Sequence, residues 1–289
     1  PLQAYLDLYR DAEIDPPMRG AWAEEFAALP RALQHIRAYW PGEPTAAMHQ
    51  ALRRAFYALC THIDHQLRVV IGTLREEGLL DDTIILVTSD HGDMLGEHGL
   101  WSKWLYYEQS ANVPMILIGT AKDARVPAGC VDDRLVGLQD VMPTLLDLAG
   151  VSIPSMVEGL SMAGQRRRTT LYGECREDRS ATRMVNDGRH KLIWYPAGNR
   201  VQLFDLADDP REIHDRASDP GYNQVRARLE AALIPELNGG DLIWVKDGRL
   251  VGFDPGPFIP GLNRALSGQR GAHYPPPPVI QPGIVGMPG

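Results

Sequence analysis

The densest chemistry in the chain lies in one run, Thr88-Ser89-Asp90-His91-Gly92-Asp93-Met94-Leu95-Gly96-Glu97-His98-Gly99-Leu100-Trp101-Ser102-Lys103. Asp90 and His91 offer an oxygen and a nitrogen donor side by side, the types a divalent cation takes. Gly92 behind them lets the chain turn. Lys103 follows thirteen residues after Asp90 and can return to the same place with a positive charge for an anionic substrate. An Asp-His pair before Gly also reads as an ordinary turn with no ligand, so spacing alone leaves both readings open. Elsewhere, His62 and His65 stand at i and i+3 on a helical stretch, a spacing that can bind metal. Both flank an apolar stripe and read as solvated helix positions. Gln165-Arg166-Arg167-Arg168 reads as a solvated loop. Trp101 and Trp104 either line a pocket around Lys103 or pack into the core.

The elements that must position this run are legible around it. Leu52, Phe56, Leu59, Ile63, Leu67, Val70 and Leu74 recur at steps of three and four, which predicts one long helix over 45–77 with Thr45 as its cap and Gly78 at its end. Ile84–Val87 is a continuous apolar run, the pattern of a strand buried on both faces of a parallel sheet. Pro114-Met115-Ile116-Leu117-Ile118 predicts a second such strand, and Gln139–Ala149 a helix closed by Gly150. Ligands of α/β sheets bind beyond the carboxyl ends of strands, and Asp90 stands at such an end. After about residue 165 the pattern changes to short strands, Thr169–Gly173, Thr182–Asn186, Lys191–Tyr195 and Val201–Asp205. Asp187-Gly188 is a hairpin turn between the middle two, and Tyr222–Leu237 a closing helix. The Gly- and Pro-rich stretch 239–289 reads as an extended tail, with a hairpin around Asp247-Gly248 inside Trp244–Phe253. The predicted organisation is 1–164, 165–238 and 239–289.

Composition narrows the classes of function. The 289 residues are 44% hydrophobic and 23% charged, which excludes disorder over the whole length. The net charge of −8 argues against nucleic acid or an anionic membrane as partner. No apolar run approaches the roughly 20 residues of a membrane helix. Cys60, Cys130 and Cys175 are widely spaced and form no disulfide framework or metal knuckle.

Several ordered blocks resemble the sulfatase family of the alkaline-phosphatase-like superfamily. They run from Leu79-Leu80-Asp81-Asp82-Thr83-Ile84-Ile85-Leu86-Val87-Thr88-Ser89-Asp90-His91-Gly92 to Gly96-Glu97-His98-Gly99-Leu100-Trp101-Ser102-Lys103 and Val113-Pro114-Met115-Ile116. The likeness continues through Asp140-Val141-Met142-Pro143-Thr144-Leu145-Leu146-Asp147-Leu148-Ala149-Gly150, Asn186-Asp187-Gly188-Arg189-His190-Lys191-Leu192-Ile193 and Leu203-Phe204-Asp205-Leu206-Ala207-Asp208-Asp209-Pro210. It covers roughly residues 45–220. The resemblance implies an α/β fold, a mostly parallel sheet with helices on both faces, followed by a small antiparallel sheet plus helix. It implies Asp90 and His91 as ligands of a divalent cation, calcium first and manganese or magnesium next. Lys103 is implied as the lysine on the sulfate, and His98 either touches the site or only satisfies a loop.

The family's nucleophile is a cysteine converted to formylglycine in a Cys-x-Pro-Ser-Arg setting. None of the three cysteines fits, and Ser152-Ile153-Pro154-Ser155 is followed by Met156 and lies after the Asp90 strand. The early acidic pair and the upstream histidine of the family are also unmatched. The resemblance is therefore to the C-terminal part of a sulfatase, an expectation of at best half a metal site and no nucleophile. The expected activity is hydrolysis of small-molecule sulfate monoesters. The alternatives are phosphonate monoester or phosphodiester hydrolysis on the same fold, or a non-catalytic fragment. Compartment stays open with a lean to the cytoplasm, and the Pro-rich end is a candidate arm for a homo-oligomer.

Overall fold

The computed structural model describes residues 1–38, 44–120 and 122–259. The Pro-rich end expected as a tail lies outside them from residue 260 onward. The order of helices and strands is α1 (Gln3–Asp7), α2 (Arg31–Ala38), α3 (Ala46–Glu76), β1 (Ile85–Thr88), α4 (Glu108–Ala111), β2 (Met115–Ile118), α5 (Val141–Leu148), β3 (Leu171–Cys175), β4 (Thr182–Asn186), β5 (His190–Tyr195), β6 (Arg200–Asp205), α6 (Asn223–Leu233), β7 (Val245–Lys246) and β8 (Arg249–Leu250).

Helix α3 starts where its cap predicts. The Thr45 hydroxyl accepts the Met48 N–H at 3.2 Å, satisfying one donor of the first turn. Gly78 ends it with φ +68°. Its covered face is not the apolar stripe. Arg53 and Ala58 are buried, while Leu52, Leu59, Ile63 and Val70 are exposed. Tyr5 and Tyr9 from the start of the chain lie against α3, Tyr5 stacked on His62 with ring centroids 4.6 Å apart and Tyr9 bonded to Thr61 at 2.6 Å. Periodicity reports which face of a helix seeks cover, and not which neighbour supplies it.

The parallel sheet expected around β1 is not formed by the described strands. β1 and β2 pair antiparallel, with Val87 opposite Ile116 and Thr88 opposite Met115. Every residue of β1 is half-buried rather than buried. A continuous apolar run predicts a strand, but says nothing of the direction of its neighbour.

The four-stranded sheet follows its sequence closely. β3, β4, β5 and β6 lie in that order, each pair antiparallel, with Met184 opposite Ile193 and Leu192 opposite Leu203. The Asp187 carboxylate accepts the N–H groups of Arg189 and His190 at 3.0 and 2.6 Å, closing the predicted turn. Both faces are covered. Met184, Ile193, Tyr195 and Phe204 pack on Leu33, Ile36, Met94, Leu100 and Tyr107. Val185, Leu192, Trp194 and Leu203 pack on Leu229 and Leu233 of α6 and on Trp244. Strand residues alternate between faces, so one sheet serves two cores. The stretch 239–253, expected as part of a tail, is held against this second core. Trp244 is buried in it, and Asp241 makes a two-bond ion pair with Arg183 at 2.5 and 2.7 Å. The hairpin around Asp247-Gly248 forms, with both residues at positive φ. Among the described residues no helix is long and apolar enough to cross a membrane.

Candidate active site

Asp90 and His91 leave the end of β1 together. The Ser89 hydroxyl donates to the His91 carbonyl at 2.8 Å, and the His91 N–H donates to Asp90 Oδ1 at 3.0 Å. His91 Nδ1 lies 2.7 Å from the Gly92 carbonyl. A carbonyl only accepts, so Nδ1 carries the proton and Nε2 presents a lone pair. Lys103 Nζ donates to that lone pair at 2.6 Å, and Asp90 Oδ2 stands 3.3 Å from the same nitrogen. The three residues singled out by type and spacing thus meet at one point.

Gly92 serves this meeting by allowing a close approach, not a positive φ. Its N–H donates to the Ser110 carbonyl at 2.8 Å. A β-carbon there would lie 2.1 Å from the Gln109 carbonyl oxygen. Only glycine lets the strand end sit this close to α4.

Lys103 is flanked by strain. Ser102 and Trp104 have φ of +68° and +72°, a region that side chains other than Gly rarely enter and that persists only where surroundings impose it. The surroundings are specific. Asp93 Oδ1 accepts the Ser102 N–H at 3.2 Å, and the Met94 N–H donates to the Ser102 carbonyl at 2.9 Å. On the other side the Cys175 thiol donates to the Trp104 carbonyl at 3.8 Å, and the Arg176 guanidinium lies 4.7 Å over the Trp104 ring.

These groups open into a cavity of about 510 Å³. Asp90, His91 and Lys103 line it together with Trp104, and Glu174 and Cys175 from β3 form part of its wall. Burial pushes the Cys175 thiol above its ordinary pKa, which keeps it from being a ready thiolate. The Asp90 side chain is 82% exposed. Among the described residues no group of three or more His, Cys, Asp or Glu side chains gathers around a common point. Asp90 therefore supplies one free donor, and His91 a second only when Lys103 leaves its Nε2, fewer than a divalent cation takes in a closed protein site.

The remaining expectations divide. His98 is not among the residues lining this cavity. It is fully buried, accepts the Gly20 N–H on Nδ1 at 3.2 Å and packs against Trp22 and Tyr107. Burial pushes its pKa down to about 4. Its neighbour Glu97 is also buried and ties Arg53 at 2.5 Å and Arg211 at 3.1 Å. The Glu97-His98 pair therefore clasps the N-terminal segment, α3 and the segment around residue 211. Trp101 is buried and stacks on His49, whereas Trp104 faces the cavity. Arg168 is no solvated loop residue, since it pairs with both oxygens of buried Asp140. Glu174 and Cys175 carry no motif, and only the fold of β3 against residues 104–106 brings them here.

A family model described as sulfatase matches residues 17–151. A second, described as the C-terminal part of N-sulphoglucosamine sulphohydrolase, matches 96–238. An arylsulfatase of Clostridium perfringens is 34% identical over 245 residues, which are 83% of this chain and 50% of that protein. A choline-sulfatase of Rhizobium meliloti is 34% identical over 237 residues, 78% of this chain and 45% of that one. Among solved structures, a phosphonate monoester hydrolase from Silicibacter pomeroyi is similar with a TM-score of 0.71 and 27% identity, covering 81% of this chain and 52% of that one. The chain spans about half the length of these relatives. With its ordered motifs, its alkaline-phosphatase-like fold and two overlapping family models across 17–238, the chain belongs to the sulfatase family.

Proposed function

We propose that this chain carries the sulfate-binding side of a sulfuric ester hydrolase acting on small-molecule sulfate monoesters. The observation that carries it is the convergence of Lys103 Nζ on His91 Nε2 at 2.6 Å, beside Asp90, at the mouth of a cavity large enough for a small ester. A lysine held there by its strained neighbours donates charge-assisted hydrogen bonds to a sulfate oxygen. It also stabilises the charge that grows on the leaving oxygen as the ester bond breaks. The proton on Nδ1 keeps the His91 lone pair aimed at the same spot, through the Gly92 carbonyl.

Asp90 and His91 are the proposed donors to a divalent cation, with calcium ahead of manganese and magnesium, the order that the likeness to sulfatases implies. A bound cation would polarise the ester. Two donors do not complete such a site, so no step is assigned to it. The relatives named sulfatases support the sulfate reading. The solved phosphonate monoester hydrolase supports the runner-up, since a tetrahedral phosphonate monoanion presents similar oxygens to the same lysine.

The test is binding of inorganic sulfate to the purified chain by calorimetry in the presence of calcium, followed by binding of a nitrophenyl sulfate and of a nitrophenyl phosphonate monoester under the same conditions. Lys103→Ala is expected to weaken sulfate at least about tenfold. Equal affinity in wild type and variant overturns the assignment of Lys103. Tighter binding of the phosphonate monoester than of the sulfate ester moves the reading to the runner-up.

A further inference from the structure

The segment that carries Lys103 is gripped from below by the four-stranded sheet, at a residue that no sulfatase role is assigned to above. Lys191 lies in β5 on the face shared with Ile193 and Tyr195, and is only 1% exposed. A lysine on an otherwise apolar buried strand must satisfy three donors or lose stability. All three are used. Nζ donates to the Tyr106 carbonyl at 2.8 Å, to Glu212 Oε1 at 3.0 Å and to the Glu108 carboxylate.

Each acceptor is itself fixed. Glu212, fully buried and at φ +56°, accepts the Glu108 N–H on Oε2 at 2.8 Å. Its own carbonyl accepts the Trp22 indole N–H at 3.0 Å. The Tyr106 ring lies against β3 so closely that a β-carbon on Gly173 would sit 2.7 Å from it. Tyr106 and Glu108 stand three and five residues after Lys103. The carbonyl of Ser110, in the helix that Glu108 begins, receives the Gly92 N–H behind His91. One buried ammonium therefore sits beneath both the Lys103 segment and the support of His91.

We propose that Lys191 is a positioning residue for the sulfate site, acting through the Trp104–Ser110 segment to hold Lys103 against His91. This rests on the sulfate-binding reading of Lys103. A binding group must be kept within about 0.5 Å of its working place by locked neighbours, and strain at Ser102 and Trp104 gives the segment a reason to relax if released. The Glu108–Lys191–Glu212 triad supplies the lock.

The experiment measures inorganic sulfate affinity by calorimetry on the full chain. Lys191→Met is combined with Glu212→Gln so that no buried carboxylate is left without its cation. Glu108→Gln is a second, milder variant that keeps the Tyr106 and Glu212 contacts. Leu229→Ala, in the core on the other face of the sheet, is the control for lost stability alone. The double variant is expected to bind sulfate about tenfold more weakly while keeping a native near-ultraviolet circular dichroism spectrum, and Glu108→Gln about threefold. Leu229→Ala is expected to melt earlier with unchanged sulfate affinity.

Wild-type affinity in either triad variant overturns the positioning role, as does an equal loss in Leu229→Ala. If the double variant does not fold, Glu108→Gln decides alone. Lys103→Ala separates the two readings. If it still binds sulfate fully, the site reading itself fails. If it loses sulfate while the triad variants do not, only the role of Lys191 fails.

Discussion

Strands β4 and β5 bury side chains on both faces, whereas β1 is half-buried throughout and β2 leaves Ile116 and Ile118 at 53% and 44% exposure. All four are short, and β1 and β2 are the more apolar pair in sequence. The difference lies in what packs on them. The four-stranded sheet has α2 and residues 94–107 on one side and α6 with Trp244 on the other. Among the described residues β1 and β2 have each other as their only strand partners. The candidate site stands between these regimes. Asp90 and His91 leave the thinly covered pair, and Lys103 is anchored to the thickly covered sheet. The precision of the site is thus drawn from a sheet that does not itself carry the site's chemistry.

The largest expected effect tests the covered sheet directly. Trp194→Ala, at a fully buried position of β5, is expected to cost about 3–5 kcal/mol in urea unfolding. Ile118→Ala is expected to cost under about 1 kcal/mol, because less apolar area leaves water there. Comparable losses in the two variants would erase the contrast between the regions.

The next effect concerns the inner face, where His98 packs near the sheet. In the unfolded chain His98 titrates at its ordinary value of 6.5, and in the fold at about 4. Between those values the unfolded state binds more protons. Stability is therefore complete above pH 6.5 and is lost as pH falls toward 4, by about 3 kcal/mol. Unfolding of wild type and His98→Phe across this window is the measurement. The advantage of wild type is expected to shrink as pH falls, and a constant difference would remove His98 as the cause.

Gly92→Ala probes the seam between the two regions. The added carbon meets the Gln109 carbonyl, so the strand end or α4 must shift, at a cost of about 1–3 kcal/mol. Sulfate affinity is expected to fall with it. Full affinity in a destabilised variant would show that β1 and α4 can part without disturbing Lys103 and His91. The smallest effect is remote from the sheet. Thr45→Ala removes the cap of α3 and is expected to cost about 1 kcal/mol in thermal unfolding, leaving sulfate affinity unchanged.

The sequence by itself determined the local elements and the residues of the candidate site. The apolar steps of 45–77 with Thr45 ahead specify α3, the Asp187-Gly188 and Asp247-Gly248 pairs specify their hairpins, and short apolar runs mark the strands. These follow from periodicity and turn chemistry, which act within a few residues. The Asp90, His91 and Lys103 set was legible because residue type, a strand end and a run of ordered motifs agreed. Tertiary structure decided the rest, because each of these outcomes depends on residues far apart in the chain. It paired β1 with β2 antiparallel, left Leu52, Leu59, Ile63 and Val70 of the apolar stripe of α3 exposed, and drew His98 into the core beside Trp22. It also placed Glu174 and Cys175 in the cavity wall and joined Lys191 to Glu108 and Glu212. A lysine inside an apolar strand signals in sequence that a buried partner is needed. Only the packing of the sheet under residues 104–110 shows that the partner it found is the segment carrying the site.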